Sequence, residues 1–250
     1  AGWEQRWGKV AVDPRDGSFA CVWSTVVGHN LKLRWHDADG APVGGELQVN
    51  ETLTVGRQDE PMLAMDDAGH LFVGWSDRQG YDGSGMGVFG RVYGPDRQPL
   101  GPEFQISDEW QQSQWEPMPE PLPGGGWVVA FNGDDDGEAF LRFLDLDGTP
   151  RTGDVTINTV HNNGQTEAEV AASVDGVVLA VYADFGGNVQ AGTGTNLLAR
   201  RFTTDGVPLD ATEWVVNTAT LPFDQLEPRL AASQLPGGQG VFVMVWEDWG

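Results

Sequence analysis

The chain has 250 residues, with 14 Lys and Arg against 37 Asp and Glu, for a formal net charge of −23. Such a surface repels nucleic acid and anionic membranes, and no apolar run reaches the ~18 residues of a membrane-crossing helix. A lone cysteine, Cys21 in Phe19-Ala20-Cys21-Val22-Trp23, excludes an internal disulfide framework and reads as a small buried hydrophobe. The N-terminal Ala1-Gly2-Trp3 lacks an initiator Met and a signal-peptide pattern, as a processed mature end or a fragment boundary would.

Five glutamines organise the chain: Gln5, Gln58, Gln114, Gln165 and Gln225, at steps of 53, 56, 51 and 60 residues. Three open related text, Gln58-Asp59-Glu60-Pro61-Met62-Leu63-Ala64, Gln165-Thr166-Glu167-Ala168-Glu169-Val170-Ala171 and Gln225-Leu226-Glu227-Pro228-Arg229-Leu230-Ala231. A constant period of this size is one supersecondary unit copied in tandem. The repeats run over about 1–52, 53–109, 110–160, 161–219 and a partial 220–250, as one domain.

The second repeat gives the pattern. Strand A is expected near Pro61–Met65, then the turn Asp66-Asp67-Ala68-Gly69 and strand B, His70–Trp75. A polar loop leads to strand C, Val88–Tyr93, and the turn Pro95-Asp96-Arg97-Gln98 precedes strand D near Glu103–Ser107. Short β-branched and aromatic runs between Gly, Pro and Asp clusters mark strands and hairpins. Strand B recurs as Trp127–Phe131, Val178–Tyr182 and Phe242–Trp246, nearly continuous apolar runs that predict burial on both faces. Trp23, Trp75, Trp127 and Trp246 are then packing between units. Strand C carries Arg34, Arg91, Arg142 or Arg200, expected to pair bidentately with acidic groups. Strand D ends at Asn50, Ser107, Asn158 or Asn217. The repeated glutamine offers a donor and an acceptor and is expected to bridge adjacent units.

Four-stranded antiparallel units repeated about five times predict an all-β fold, a β-propeller whose last blade is incomplete. The texts Gln-x-x-Pro…Val-Val-x-Trp and Arg-x-x-x-x-Asp-Gly-x-Pro-x-Gly resemble tandem-repeat β-propeller proteins of bacterial secreted and surface systems. The resemblance covers essentially the whole chain. It implies an interaction platform and carries no catalytic residue. The fifth repeat reaches Glu247-Asp248-Trp249-Gly250 just after strand B. Either the chain is part of a longer protein or a partner strand completes the blade by β-augmentation.

Connections in an up-and-down unit alternate between edges. The A–B and C–D turns are short; the B–C loops and inter-blade segments on the other edge are long, variable and acidic, so binding is expected there. Asp77, Asp82, Asp134, Asp135, Asp136, Glu138 and Asp184 are candidate calcium ligands, against the alternative of solvated acidic loops. Trp110, Trp115, Asp248 and Trp249 are candidate ligand contacts. Trp7 and Trp115 fall just after the repeated glutamine, where other repeats have Glu60, Glu167 and Glu227 or their neighbours. Tryptophan beside carboxylates suits a sugar. Gly85-Met86-Gly87-Val88-Phe89-Gly90 spells a phosphate-loop pattern but leads into a strand. Asn50-Glu51-Thr52 is a glycosylation sequon by letters alone.

These features predict an extracellular or surface-associated, non-enzymatic binding module, possible calcium stabilisation included. Its partner would be a protein or a second copy, met at the loop face or the incomplete blade. The alternative is a glycan-directed protein, lectin or glycoside hydrolase, using the acidic, tryptophan-bearing face.

Overall fold

In the computed structural model the described residues are 5–80, 83, 85–108, 112–133, 137–161, 164–185, 194–217 and 224–249. They form strands and no helix. Blade 1 is β1 (Gln5–Val12), β2 (Phe19–Thr25), β3 (Leu31–His36) and β4 (Pro42–Gln48). Blade 2 is β5 (Gln58–Met65), β6 (Leu71–Asp77), β7 (Gly87–Tyr93) and β8 (Phe104–Gln105). Blade 3 is β9 (Gln114–Pro121), β10 (Trp127–Gly133), β11 (Ala139–Leu144) and β12 (Val155–Thr156). Blade 4 is β13 (Gln165–Ala172), β14 (Val177–Asp184), β15 (Asn196–Thr203) and β16 (Trp214–Val215). Blade 5 is β17 (Gln225–Gln234) and β18 (Gly240–Asp248).

Each blade is an antiparallel sheet in chain order, four-stranded in blades 1 to 4 and two-stranded in blade 5. This is the expected β-propeller with an incomplete last blade. The Gly85–Gly90 text runs into β7, as a strand entry requires.

The glutamines work as bridges. Gln58 Nε2 donates to Asp77 Oδ1 at 3.0 Å, and its Oε1 accepts from Asn50 Nδ2 at 3.0 Å. Gln165 repeats this with Asp184 at 3.1 Å and Asn158 at 3.4 Å, and Gln114 accepts from Ser107 Oγ at 3.3 Å. The end of one blade's outer strand is thus latched to the start of the next blade's inner strand. Asn50 is fully buried, and its amide nitrogen serves Asn30 Oδ1, Leu53 O and Gln58 Oε1, so the sequon is occupied by the scaffold.

The arginines reach backward too: Arg91 and Arg200 through main-chain carbonyls, Arg142 through the expected bidentate contact with a carboxylate. Arg91 donates to Val49 O at 2.9 Å and Glu51 at 3.2 Å. Arg142 meets both carboxylate oxygens of Asp108, at the end of blade 2, at 3.4 and 3.5 Å, and Asp154 of its own blade at 3.1 Å; Arg200 donates to Ile157 O at 3.1 Å. For Arg91 and Arg200 the accepting carbonyl lies where the preceding blade ends.

Packing lies between blades. Leu33, Val73 and Trp75 join blade 1 to blade 2; Phe72, Trp127 and Phe131 join blade 2 to blade 3; Val128, Phe143 and Val170 join blade 3 to blade 4. Each fully buried Val, Leu or Phe contributes about 1.5–3 kcal/mol. Strands β6 and β10 are buried at every residue, as expected of strand B. Two strands depart from that expectation. In β2 burial alternates, leaving Trp23 half-buried, and in β18 Trp246 is exposed. No blade packs against the face of β2 that carries Trp23, or against the face of β18 that carries Val243 and Val245.

Candidate active site

Each inner strand carries the same distortion two residues after its glutamine. Trp7, Glu60, Glu116, Glu167 and Glu227 have φ of 51°, 51°, 54°, 58° and 48°. The strand register slips at these points in all five inner hairpins. These are β-bulges, which re-aim one side chain out of the pleat. A left-handed conformation costs a residue with a Cβ roughly 1–2 kcal/mol, so packing must hold it in place. Five-fold repetition makes the bulge part of the architecture. Glutamate at four of the five positions is the added chemistry.

The five bulge residues meet around one cavity of about 230 Å³. Trp7, Glu60, Glu116, Glu167 and Glu227 form its upper tier, with Lys9, Met62, Met118 and Arg229 two residues deeper. The bulges lie near the start of the inner strands. That is the edge bearing the B–C loops and inter-blade segments, the edge expected to function.

Neighbouring blades fix these carboxylates unequally. Ser76 Oγ donates to Glu60 Oε2 at 3.2 Å and accepts from Glu116 N at 2.9 Å. Arg78 bridges Asp59 at 2.9 Å and Glu60 at 3.0 Å. Asn132 donates to Glu116 Oε2 at 3.0 Å and accepts from Ala168 N at 3.1 Å. At the corresponding point of β14 stands Ala183, which has no donor side chain; Glu167 accepts instead from Glu227 N at 2.5 Å.

Burial first, then the charges of Glu60 and Glu167, pushes the Glu116 carboxyl above the usual glutamate range, against Arg229 and the Asn132 hydrogen bond. Burial and the Glu227 and Glu247 charges raise Glu167, against the Glu227 backbone hydrogen bond and Arg229. Below them, burial pushes Glu169 up to about 7 despite Arg229 at 3.0 Å. Glu120, nearer the opposite edge, is also pushed up to about 7 by burial. A carboxyl that holds its proton more tightly, beside a carboxylate fixed by arginine, is the arrangement acid–base chemistry uses.

The other candidate residues divide differently. Asp77, Asp184 and Asp248 each accept from their own blade's glutamine, Gln58, Gln165 and Gln225, at 3.0, 3.1 and 3.0 Å. Glu138 lies 2.7 Å from His161 Nδ1. Among the described residues no group of three or more His, Cys, Asp or Glu side chains is placed to hold a metal ion. Asp82, Asp134, Asp135, Asp136 and Trp110 lie outside the described residues. Trp115 is half-buried and does not line the axial cavity, whereas Trp7 does. Trp249 is exposed, its Nε1 donating to Glu247 at 3.0 Å.

The sequence matches no protein-family model and no curated protein. Solved structures share the fold. The GH93 alpha-L-arabinofuranosidase of Fusarium graminearum, solved with arabinobiose, is 11% identical with a TM-score of 0.56, over 98% of this chain and 78% of that one. The Penicillium chrysogenum alpha-L-arabinanase, also with arabinobiose, is 11% identical with a TM-score of 0.56, over 95% and 75%. An alpha-L-arabinofuranosidase from Lactobacillus brevis is 12% identical with a TM-score of 0.53, over 98% and 84%.

These neighbours are β-propeller glycoside hydrolases, and the likeness establishes the architecture. The expectation of a non-enzymatic binding module is corrected. Its neighbours are enzymes that act on glycans, and carboxylates line its axis, where repeated text had been read as scaffold alone. Among the described residues no helix is long and apolar enough to cross a membrane.

Proposed function

We propose that this chain is a glycoside hydrolase acting on extracellular polysaccharide, with its active site at the upper end of the propeller axis. The observation that carries the reading is the ring of four bulge-borne glutamates around the cavity beside Trp7. Glu116 is the proton donor, because burial and flanking carboxylates favour its neutral form. It gives its proton to the glycosidic oxygen as the bond to the anomeric carbon breaks. Glu60, held by Arg78 and Ser76, is the carboxylate that attacks that carbon or activates water to do so. Trp7 supplies an apolar face for a sugar ring. Arabinose-containing polymers are the first substrates to try, since arabinobiose occupies two propellers of this shape.

The test is release of reducing ends from arabinan, arabinoxylan and a panel of unrelated polysaccharides. The native chain should cleave at least one, and Glu116→Gln should lower the rate by about 10²–10⁴-fold without altering unfolding. Trp7→Ala should chiefly raise KM. Sugar-dependent quenching of tryptophan fluorescence without cleavage of any polymer would replace the hydrolase with a lectin.

A further inference from the structure

Five copies of one inner strand show which residues the scaffold needs, and a charged cluster in blade 2 is not among them. Asp59 follows the repeated glutamine, at the position that holds Arg6, Trp115, Thr166 and Leu226 in the other blades. It alone of these five residues is buried, with its side chain 1% exposed. Arg57 precedes the glutamine, where blades 3, 4 and 5 have Ser113, Gly164 and Asp224. Arg78 follows the end of β6, where blades 1, 4 and 5 have Val26, Phe185 and Trp249.

The chain folds so that these three residues meet. Arg78 N donates to Arg57 O at 2.9 Å, and Asp59 lies opposite Ser76 across β5 and β6. Gly56, at φ 87°, allows the approach, because a Cβ there would overlap the Gln79 side chain. Asp59 Oδ2 then meets Nε of both Arg57 and Arg78, the latter at 2.9 Å. Each arginine carries on to a residue of the axial cavity. Arg78 Nη2 donates to Glu60 Oε1 at 3.0 Å. The Arg57 guanidinium lies over the Trp7 ring, 5.4 Å from its centroid, within reach of cation–π attraction. Asp59 itself does not line that cavity.

The same geometry argues against a role in stability. Asp59 Oδ1 is buried and has no hydrogen-bond partner among the described residues, and burying an unsatisfied polar atom is unfavourable. Arg57 and Arg78 are 42% and 36% exposed, so water takes up their charge if the carboxyl is lost. The other four inner strands form their bulges with no carboxyl at this position.

We propose that Asp59 is a positioning residue for the hydrolysis. Through Arg78 it directs Glu60 Oε1, and through Arg57 it sets the plane of Trp7. The attacking carboxylate and the sugar platform, on two different blades, thereby keep one fixed relation. The inference rests on the hydrolase reading of the site.

The test is steady-state kinetics of Asp59→Asn, Arg78→Gln, Arg57→Gln and the double variant Asp59→Asn with Arg78→Gln, on the polysaccharide that the native chain cleaves. Asp59→Asn should lower kcat/KM by about 10²-fold while keeping the native unfolding midpoint. Arg78→Gln should chiefly lower kcat, and Arg57→Gln should chiefly raise KM. The double variant should be little worse than Asp59→Asn alone, because both changes break one contact. Should Asp59→Asn fold poorly, the split between the two arginine variants carries the test. A second readout needs no turnover. In protein labelled with fluorotryptophan, the fluorine NMR signal of Trp7, assigned by its loss in Trp7→Phe, should move in Asp59→Asn and in Arg57→Gln.

Native kcat and KM in Asp59→Asn, a loss that multiplies with that of Arg78→Gln, no split between the arginine variants, or an unmoved Trp7 signal would each overturn the proposal. A native chain that cleaves no polymer would overturn the hydrolase reading and with it the Glu60 half; the Trp7 signal decides the other half either way.

Discussion

The interface between blades 2 and 3 and the seam between blades 5 and 1 use the same repeat positions and reach opposite outcomes. Phe72 in β6 is fully buried against blade 3, whereas Val243, at the same repeat position on β18, is 56% exposed. Gln58 is latched on both sides of its amide, whereas Gln5 has no side-chain partner among the described residues. A repeated residue therefore encodes an interface only when the next unit is present to complete it. The seam is where the structure has capacity to spare.

The largest expected contrast is in the core. Trp127→Ala should destabilise the fold by about 3–5 kcal/mol, because it empties a filled space between blades. Val243→Ala, on the open face of β18, should cost about 0.5 kcal/mol or less. Denaturant unfolding of both variants checks this; equal losses would mean that the seam is closed in solution.

Next comes the polar latch. Gln58→Ala removes one hydrogen bond from each of buried Asp77 and Asn50 and should cost about 1–3 kcal/mol, against about 0.5 kcal/mol or less for Gln5→Ala. A Gln5 variant as damaging as the Gln58 variant would place an unseen partner at Gln5.

A smaller contrast is in pH dependence. The Glu120 carboxyl is raised from 4.5 to about 7 in the fold, so the folded state holds a proton that the unfolded state has released between those values. Its contribution is complete below pH 4.5 and is lost as pH rises through about 7. Stability should fall between pH 5 and 8 by about 1–3 kcal/mol on this account. Glu169 acts with the same sign. Glu120→Gln should flatten the curve, as followed by thermal unfolding; an unchanged slope would assign the dependence elsewhere.

The fold was legible because its period is written in residues with few substitutes. The Gln58 amide donates to Asp77 and accepts from Asn50 from two separate atoms, a span no hydroxyl covers, and a glutamine stands at this point of every blade. The contrast between tight Asp-Gly turns and long acidic loops pointed to the edge near which the inner strands bulge around the axial cavity. The active-site candidates were not. Asp77, Asp184 and Asp248 look like loop carboxylates but end strand B, inside the reach of a glutamine. The glutamates of the ring sit inside strands, where alternation would turn them into the sheet's face. A left-handed bulge redirects them to the axis, and no single residue type announces it. The available signal was glutamate two residues after the glutamine in four repeats, with Trp7 in the fifth.

The direct test of the account is the leaving-group dependence of Glu116→Gln. If Glu116 protonates the glycosidic oxygen, the variant should lose about 10²–10⁴-fold on the polysaccharide that the native chain cleaves. It should keep most of its rate on a dinitrophenyl glycoside of the same sugar, whose leaving group needs no proton. Equal losses on both substrates, or full activity on the polysaccharide, would contradict the assignment of Glu116 as the acid at the propeller axis.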